Sequence, residues 1–226
     1  MTRIERPAVI VFDVNETLSD MSTMPARFGD VGAPPHLFAT WFAGVLRDGF
    51  ALAAADGAEP FAGVASGLLR TLLFDAPLNR DLDDAVDHIM AGFAEPTVHS
   101  DVVEGVTALA ALGIRLVTLS NGAASVAQNL LDGAGVRNRF EMLLSVEAPG
   151  RWKPHADSYR YALEQCGVEP GDAMLVAVHP WDVDGAHRAG LRTAWLDRES
   201  RPYPAYFASP DVQASSLPQL ARLLGE

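Results

Sequence analysis

The chain has 226 residues, 49% apolar and 20% charged, and its 29 acidic against 17 basic side chains give a formal charge of −12. That balance describes a folded globule with core enough for one α/β domain carrying an insertion, and it excludes a disordered chain. A pI near 4.8 argues against nucleic acid or an anionic membrane as partner, because Coulomb attraction has the wrong sign.

The 17 cations are sixteen arginines and one lysine, Lys153. A solitary lysine in an arginine-preferring chain is either a chance surface residue or one whose task needs a compact, adjustable ammonium. The single cysteine, Cys166, excludes an intrachain disulfide and a cysteine-based zinc cluster. With no signal peptide read at the N-terminus, it suits a reducing, cytoplasmic setting. The longest uncharged segment, residues 31–46, holds Pro34-Pro35 and is too short to span a bilayer.

In chain order, Ala8–Phe12 is the first continuous apolar run, followed by a block without convincing strands. Three helical patterns fill that block: Pro35–Ala55, Pro60–Phe74 and Asn79–Phe93. In the first, Leu37, Phe38, Trp41, Phe42, Val45 and Leu46 recur at helical spacing. From about residue 97 the pattern alternates. Helical stretches at 101–112, 123–134 and 157–166 end at Gly113, Gly135 and Gly167, where a C-cap glycine is expected. Apolar runs at Arg115–Leu119, Met142–Val146 and Ala173–Val178 are continuous, as in strands covered on both faces. The expected fold is α/β, a doubly wound parallel sheet with an inserted helical segment. The core is drawn as residues 1–19 and 97–226, and the helical insertion as residues 20–96.

Ligands of such sheets bind at the carboxyl ends of the strands. The residues just past each strand are Asp13, then Ser120-Asn121-Gly122, then Lys153, then His179-Pro-Trp-Asp182. Each alone has a plain structural reading: a turn acid, a helix cap, a solvated cation, a loop histidine. Their convergence on one rim points to chemistry. His99-Ser100-Asp101 holds the letters of a catalytic triad, but adjacency in sequence favours a loop and a helix N-cap. The stretch Gly29–Gly32 follows no strand and is weak as a phosphate loop.

Four segments in order resemble the motifs of the haloacid dehalogenase superfamily: Asp13 with Thr17-Leu18; Ser120-Asn121-Gly122; Lys153-Pro154 with Tyr159; and Trp181-Asp182 with Gly185-Ala186. The resemblance implies a Rossmann-like core under a helical cap, with Asp13 as a nucleophile that forms a covalent ester. It implies that Lys153 keeps Asp13 ionised, that Thr17, Ser120 and Asn121 donate hydrogen bonds to the nucleophile and a bound anion, and that Asp182 orients or deprotonates the water.

The phosphatase branch carries a second Asp two residues after the nucleophile and a metal-binding acid four residues before the Asp182 position. Here those positions are Asn15 and Val178. The chain is thus similar to the metal-independent L-2-haloacid dehalogenase branch, which needs no cofactor and acts on small anionic 2-haloacids. That branch also implies a homodimer. The alternatives are a phosphatase using Mg²⁺, or a related scaffold whose specificity is altered or lost. Two departures fall at the substrate end. The branch has an arginine where Phe42 follows Trp41, and Arg47 lies roughly 140° further round the helix. The branch's Ser-x-Asn before Trp-Asp is Ala177-Val178-His179, so His179 is a base, an anion donor or a packed ring. Asn15, Trp41, Phe42, Tyr159 and Trp181 complete the expected substrate pocket.

Overall fold

A computed structural model describes residues 4–226. Six parallel strands form one sheet in the order β5-β4-β1-β6-β7-β8: β1 (Val9–Phe12), β4 (Arg115–Ser120), β5 (Met142–Ser145), β6 (Ala173–Ala177), β7 (Arg192–Leu196) and β8 (Val212–Ala214). The first strand lies in the middle, paired with β4 on one side and β6 on the other. Its alternate residues feed two cores. Val9 and Val11 join one cluster with Tyr159, Ala162 and Leu163 of α7 (Ala156–Cys166) and Val183 and Ala186 of α8 (Pro180–Arg188). Ile10 and Phe12 join the other, with α5 (Val102–Ala111), α6 (Ala124–Gly133) and α9 (Leu217–Gly225). Burial on both faces is why β1 and β6 are apolar at every position rather than at every second one.

Between β1 and β4 the chain leaves the sheet through β2 (Ser19–Asp20) and returns through β3 (Thr97–Val98), which pair antiparallel. The intervening residues form α1 (Met24–Asp30), α2 (Leu37–Ala54), α3 (Phe61–Leu73) and α4 (Leu82–Ala94). These helices bury Phe28, Trp41, Phe61, Leu69, Ile89 and Phe93 in the α7/α8-side core. By length and mean hydropathy of 1.3, α2 would be apolar enough to cross a membrane. Here its Trp41, Phe42, Val45 and Ala53 are instead buried in the aromatic core of the helical layer.

Beyond the expected strands and helices lie elements the apolar runs did not mark: β2, β3, β7, β8, α1, α8 and α9. Gly113, Gly135 and Gly167 take φ of +79°, +71° and +63° just past their helices, as C-cap glycines do.

Candidate active site

Asp13 continues β1 by one residue, its N–H donating to Val176 O at 3.0 Å. Thr17 then turns back, donating from Oγ1 to Asp13 Oδ2 at 2.7 Å and accepting Val178 N–H at 3.1 Å. One hydroxyl thus ties the end of β1 to the end of β6. The Lys153 ammonium donates to Asp13 Oδ1 at 2.9 Å and to Asp182 Oδ2 at 2.7 Å. Tyr159 donates its hydroxyl to Asp182 Oδ1 at 2.6 Å. Lys153, Asp182 and Tyr159 are 0% exposed, so the network is dry.

Burial opposes the charge on Asp13, but the Lys153 ammonium, the His179 imidazole and the Thr17 hydroxyl outweigh it and hold the carboxyl below its ordinary range. Asp182 shares the same ammonium, yet burial and the neighbouring Asp13 charge leave it above that range. Burial also works against the ammonium of Lys153, and the two carboxylates overcome it, raising its pKa. Burial lifts Tyr159 well above its ordinary value, and the adjacent Asp182 adds to this. The arrangement keeps Asp13 ionised, Lys153 charged and Tyr159 a donor.

The loop carrying Lys153 is fixed from three sides. Asn121 accepts Lys153 N–H at Oδ1 (2.9 Å) and donates from Nδ2 to Lys153 O (3.4 Å). Ser158 Oγ donates to Arg151 O at 2.6 Å. From the helical layer, Trp152 donates to Glu59 O at 2.9 Å, stacks on Phe61 and lies against Gly49 so closely that a Cβ there would collide with the ring. Gly185 has a similar role: a Cβ would stand 2.6 Å from the Tyr159 hydroxyl and from Pro154.

His179 precedes α8 and its Nε2 lies 3.2 Å from Asn15 O. A carbonyl only accepts, so Nε2 carries the proton. The same nitrogen is 3.8 Å from Asp13 Oδ2 and 3.6 Å from Glu16 Oε2. The ring stacks on Trp181 at 5.1 Å, Phe50 of α2 meets Trp181 edge-on at 4.9 Å, and Lys153 Nζ is 6.0 Å from the centre of that indole. Glu16, Phe50 and Trp152 are the residues missed from sequence. Glu16 sits at a φ of +60°, a left-handed conformation that no motif encodes, and Phe50 and Trp152 had only their nearness to the helical stripe and to Lys153 as signals.

Several expectations are corrected. Trp41 does not line a pocket: it is fully buried among Phe28, Phe38, Phe42 and Phe93 and donates its N–H to Ala65 O at 2.9 Å. Phe42 is buried beside Phe38 in the same cluster. Asn121 directs both ends of its amide at the Lys153 backbone rather than at an anion. Ser120 Oγ accepts Gly122 N–H at 2.9 Å and so shapes the turn, with its own hydrogen free of any acceptor among the described residues. Asn15 accepts at its carbonyl from His179, and its side-chain amide has no partner among the described residues. Asp101 precedes α5 but makes no side-chain cap; it binds Arg198 (2.7 Å) and Leu217 N–H (2.9 Å). Gly32 packs against residues 77–79. Arg47 points outward and pairs with Asp48.

With a carboxylate, hydroxyl, ammonium and second acid meeting at strand ends, the family comparison is decisive. Residues 7–190 match the family described as haloacid dehalogenase-like hydrolase. The chain belongs to that family. Among curated relatives, a haloacetate dehalogenase H-2 of Moraxella sp. (strain B) is 30% identical over 52% of each chain. An (S)-2-haloacid dehalogenase of Xanthobacter autotrophicus is 29% identical over 85% of this chain and 76% of its own. A phosphoserine phosphatase of Thermus thermophilus is 38% identical, over 46% of this chain and 42% of its own. The chain spans about half to three-fifths of the length of the first three curated relatives it matches. A solved L-2-haloacid dehalogenase of Xanthobacter autotrophicus superimposes with a TM-score of 0.88 and 25% identity, over 97% of this chain and 98% of that one.

Proposed function

We propose that this hydrolase releases halide from short 2-haloalkanoic acids through an ester on Asp13, with helices α1–α4 serving as a cap over the strand ends. The observation that carries this reading is the Asp13 carboxyl held by the Lys153 ammonium at 2.9 Å, where the two acids of the phosphatase branch are replaced by Asn15 and Val178. An Asp13 oxygen attacks C2; the carbon–halogen bond breaks and its electron pair leaves with the halide. A halide needs no proton on departure, so an amide at position 15 is sufficient. Water then adds to the ester carbonyl and returns the Asp13 carboxylate and a 2-hydroxy acid.

Lys153 restrains Asp13 in the attacking geometry, Thr17 fixes the second oxygen, and Asp182 with Tyr159 anchors the ammonium. Trp181, between Phe50 and His179, keeps bulk water from the reacting atoms, which strengthens each charge interaction inside. The Ser120 hydroxyl has a hydrogen to give the substrate carboxylate. The groups at Asp13 do not fit Mg²⁺: Oδ1 is taken by an ammonium, Oδ2 by a hydroxyl, and Val178 has no side-chain oxygen while its carbonyl already accepts from Trp195 Nε1 at 2.9 Å, whereas this cation needs oxygen ligands. No step is therefore routed through a metal.

The test is halide release from chloro-, bromo- and fluoroacetate and 2-chloropropionate, with Asp13→Asn as control. Halide from at least one acid, lost in Asp13→Asn, is expected. In ¹⁸O-water, a single turnover places label in the Asp13 carboxylate before product. Silence on all four acids, or Mg²⁺-dependent phosphoester turnover lost in Asp13→Asn, overturns the reading.

A further inference from the structure

Glu16 is held under more constraint than a loop residue requires. Its φ is +60°, a left-handed conformation that L side chains rarely adopt. Two side chains clamp its backbone there: Ser19 Oγ accepts its N–H at 3.1 Å, and its carbonyl accepts from His99 Nε2 at 2.9 Å. Such strain beside a reactive carboxylate is a pointer to function. The Glu16 carboxylate lies 3.6 Å from the His179 nitrogen that is itself 3.8 Å from Asp13 Oδ2. Both separations exceed a direct hydrogen bond and suit polar groups that share a water. The same carboxylate lines a cavity of about 870 Å³, together with Phe38, His99, His179, Trp195 and Arg198. Asp182 differs on each count. Both its oxygens are engaged, and its side chain has no exposed surface through which a proton could leave.

We propose that Glu16 is the base of the hydrolytic half-reaction, taking a proton from a water that enters by this cavity and attacks the Asp13 ester, with His179 positioning it. The inference rests on the ester mechanism above. As the water oxygen bonds to Cγ of Asp13, one of its protons passes to Glu16. The intermediate then breaks the bond from Cγ to the substrate oxygen, which leaves with the electron pair and takes that proton as a hydroxyl. The second water proton, on the regenerated Asp13 carboxyl, leaves through Glu16 to the cavity. Burial lifts the Glu16 carboxyl above its ordinary range, which makes it a better acceptor; His179 and His99 lower it, and Asp13 and Glu199 raise it.

Rapid-quench halide assays and intact-protein mass spectrometry on Glu16→Gln test this. The expected result is a burst of one halide per site at the wild-type rate, then turnover slowed about 100-fold or more, with the substrate's acyl adduct accumulating on Asp13. Glu16→Asp should regain part of the turnover. Glu16→Gly, which relieves the left-handed strain, should trap the same ester without loss of thermal stability. Turnover of Glu16→Gln within about threefold of wild type, or loss of its burst along with turnover, overturns the inference while leaving the ester mechanism standing. No halide from the wild-type protein on any haloacid overturns both.

Discussion

The two walls of the site are built from different materials. On the sheet side, Asp13, Lys153, Asp182 and Tyr159 form a buried polar network in which every charged atom has a partner at 2.6–2.9 Å. On the helical side, Trp41, Phe42, Phe28 and Phe93 form an aromatic cluster, and Phe50 reaches across to Trp181. Directional chemistry is placed on strand ends, whose backbone is fixed by the ladder, and non-directional packing is left to the helices. A change in the first wall should therefore alter chemistry together with stability, and a change in the Trp41 cluster of the second should alter stability alone.

The sharpest break of that contrast is Lys153→Met. It leaves Asp13 and Asp182 buried without their shared cation, so halide release should vanish and unfolding free energy should fall by about 3–5 kcal/mol, read by denaturant melts. A folded, active Lys153→Met would dissolve the distinction. Trp41→Ala should cost a similar amount, about 3–5 kcal/mol, yet leave kcat per folded molecule unchanged within about twofold. A large drop in kcat would return Trp41 to the pocket. Tyr159→Phe keeps the ring and removes one hydrogen bond to Asp182, so a loss of about 1–3 kcal/mol is expected with a weakened halide burst.

The smallest effect is in pH. Because Asp13 is held below its ordinary 3.8, its stabilisation is complete above that pH and fades as pH falls through the folded value. Asp182 is raised, so its ionisation costs stability as pH climbs from 3.8 toward its folded value. Melting temperatures of wild type relative to Asp13→Asn should fall on acidification, and relative to Asp182→Asn should fall on the opposite excursion. Parallel slopes would show that the two carboxylates do not share their ammonium unequally.

Much of the sheet side was legible in the chain. Apolar runs marked β1, β4, β5 and β6, because strands covered on both faces leave no polar positions to blur the pattern. β7 carries Arg192 and Thr193, and α8 is polar along most of its length, so neither announces itself. Asp13, Lys153 and Asp182 stood out as chemically capable residue types past strand ends, Thr17 and Tyr159 entered with the motif resemblance, and the structure brings the five together. Trp41 and Phe42 were misplaced because an aromatic at helical spacing looks the same whether it faces a ligand or a neighbouring helix. The placement of Glu16 was invisible for another reason: it depends on a left-handed backbone angle, which residue type does not encode.

The contact of Trp152 with Gly49 also makes the site sensitive to the attitude of α2. Trp152 is the chain neighbour of Lys153, and its ring fills the notch left by a missing side chain. A side chain added at Gly49 would unseat that ring and drag on the peptide that carries the ammonium, so a position far along the helix from any reacting atom is tied to the placement of Lys153.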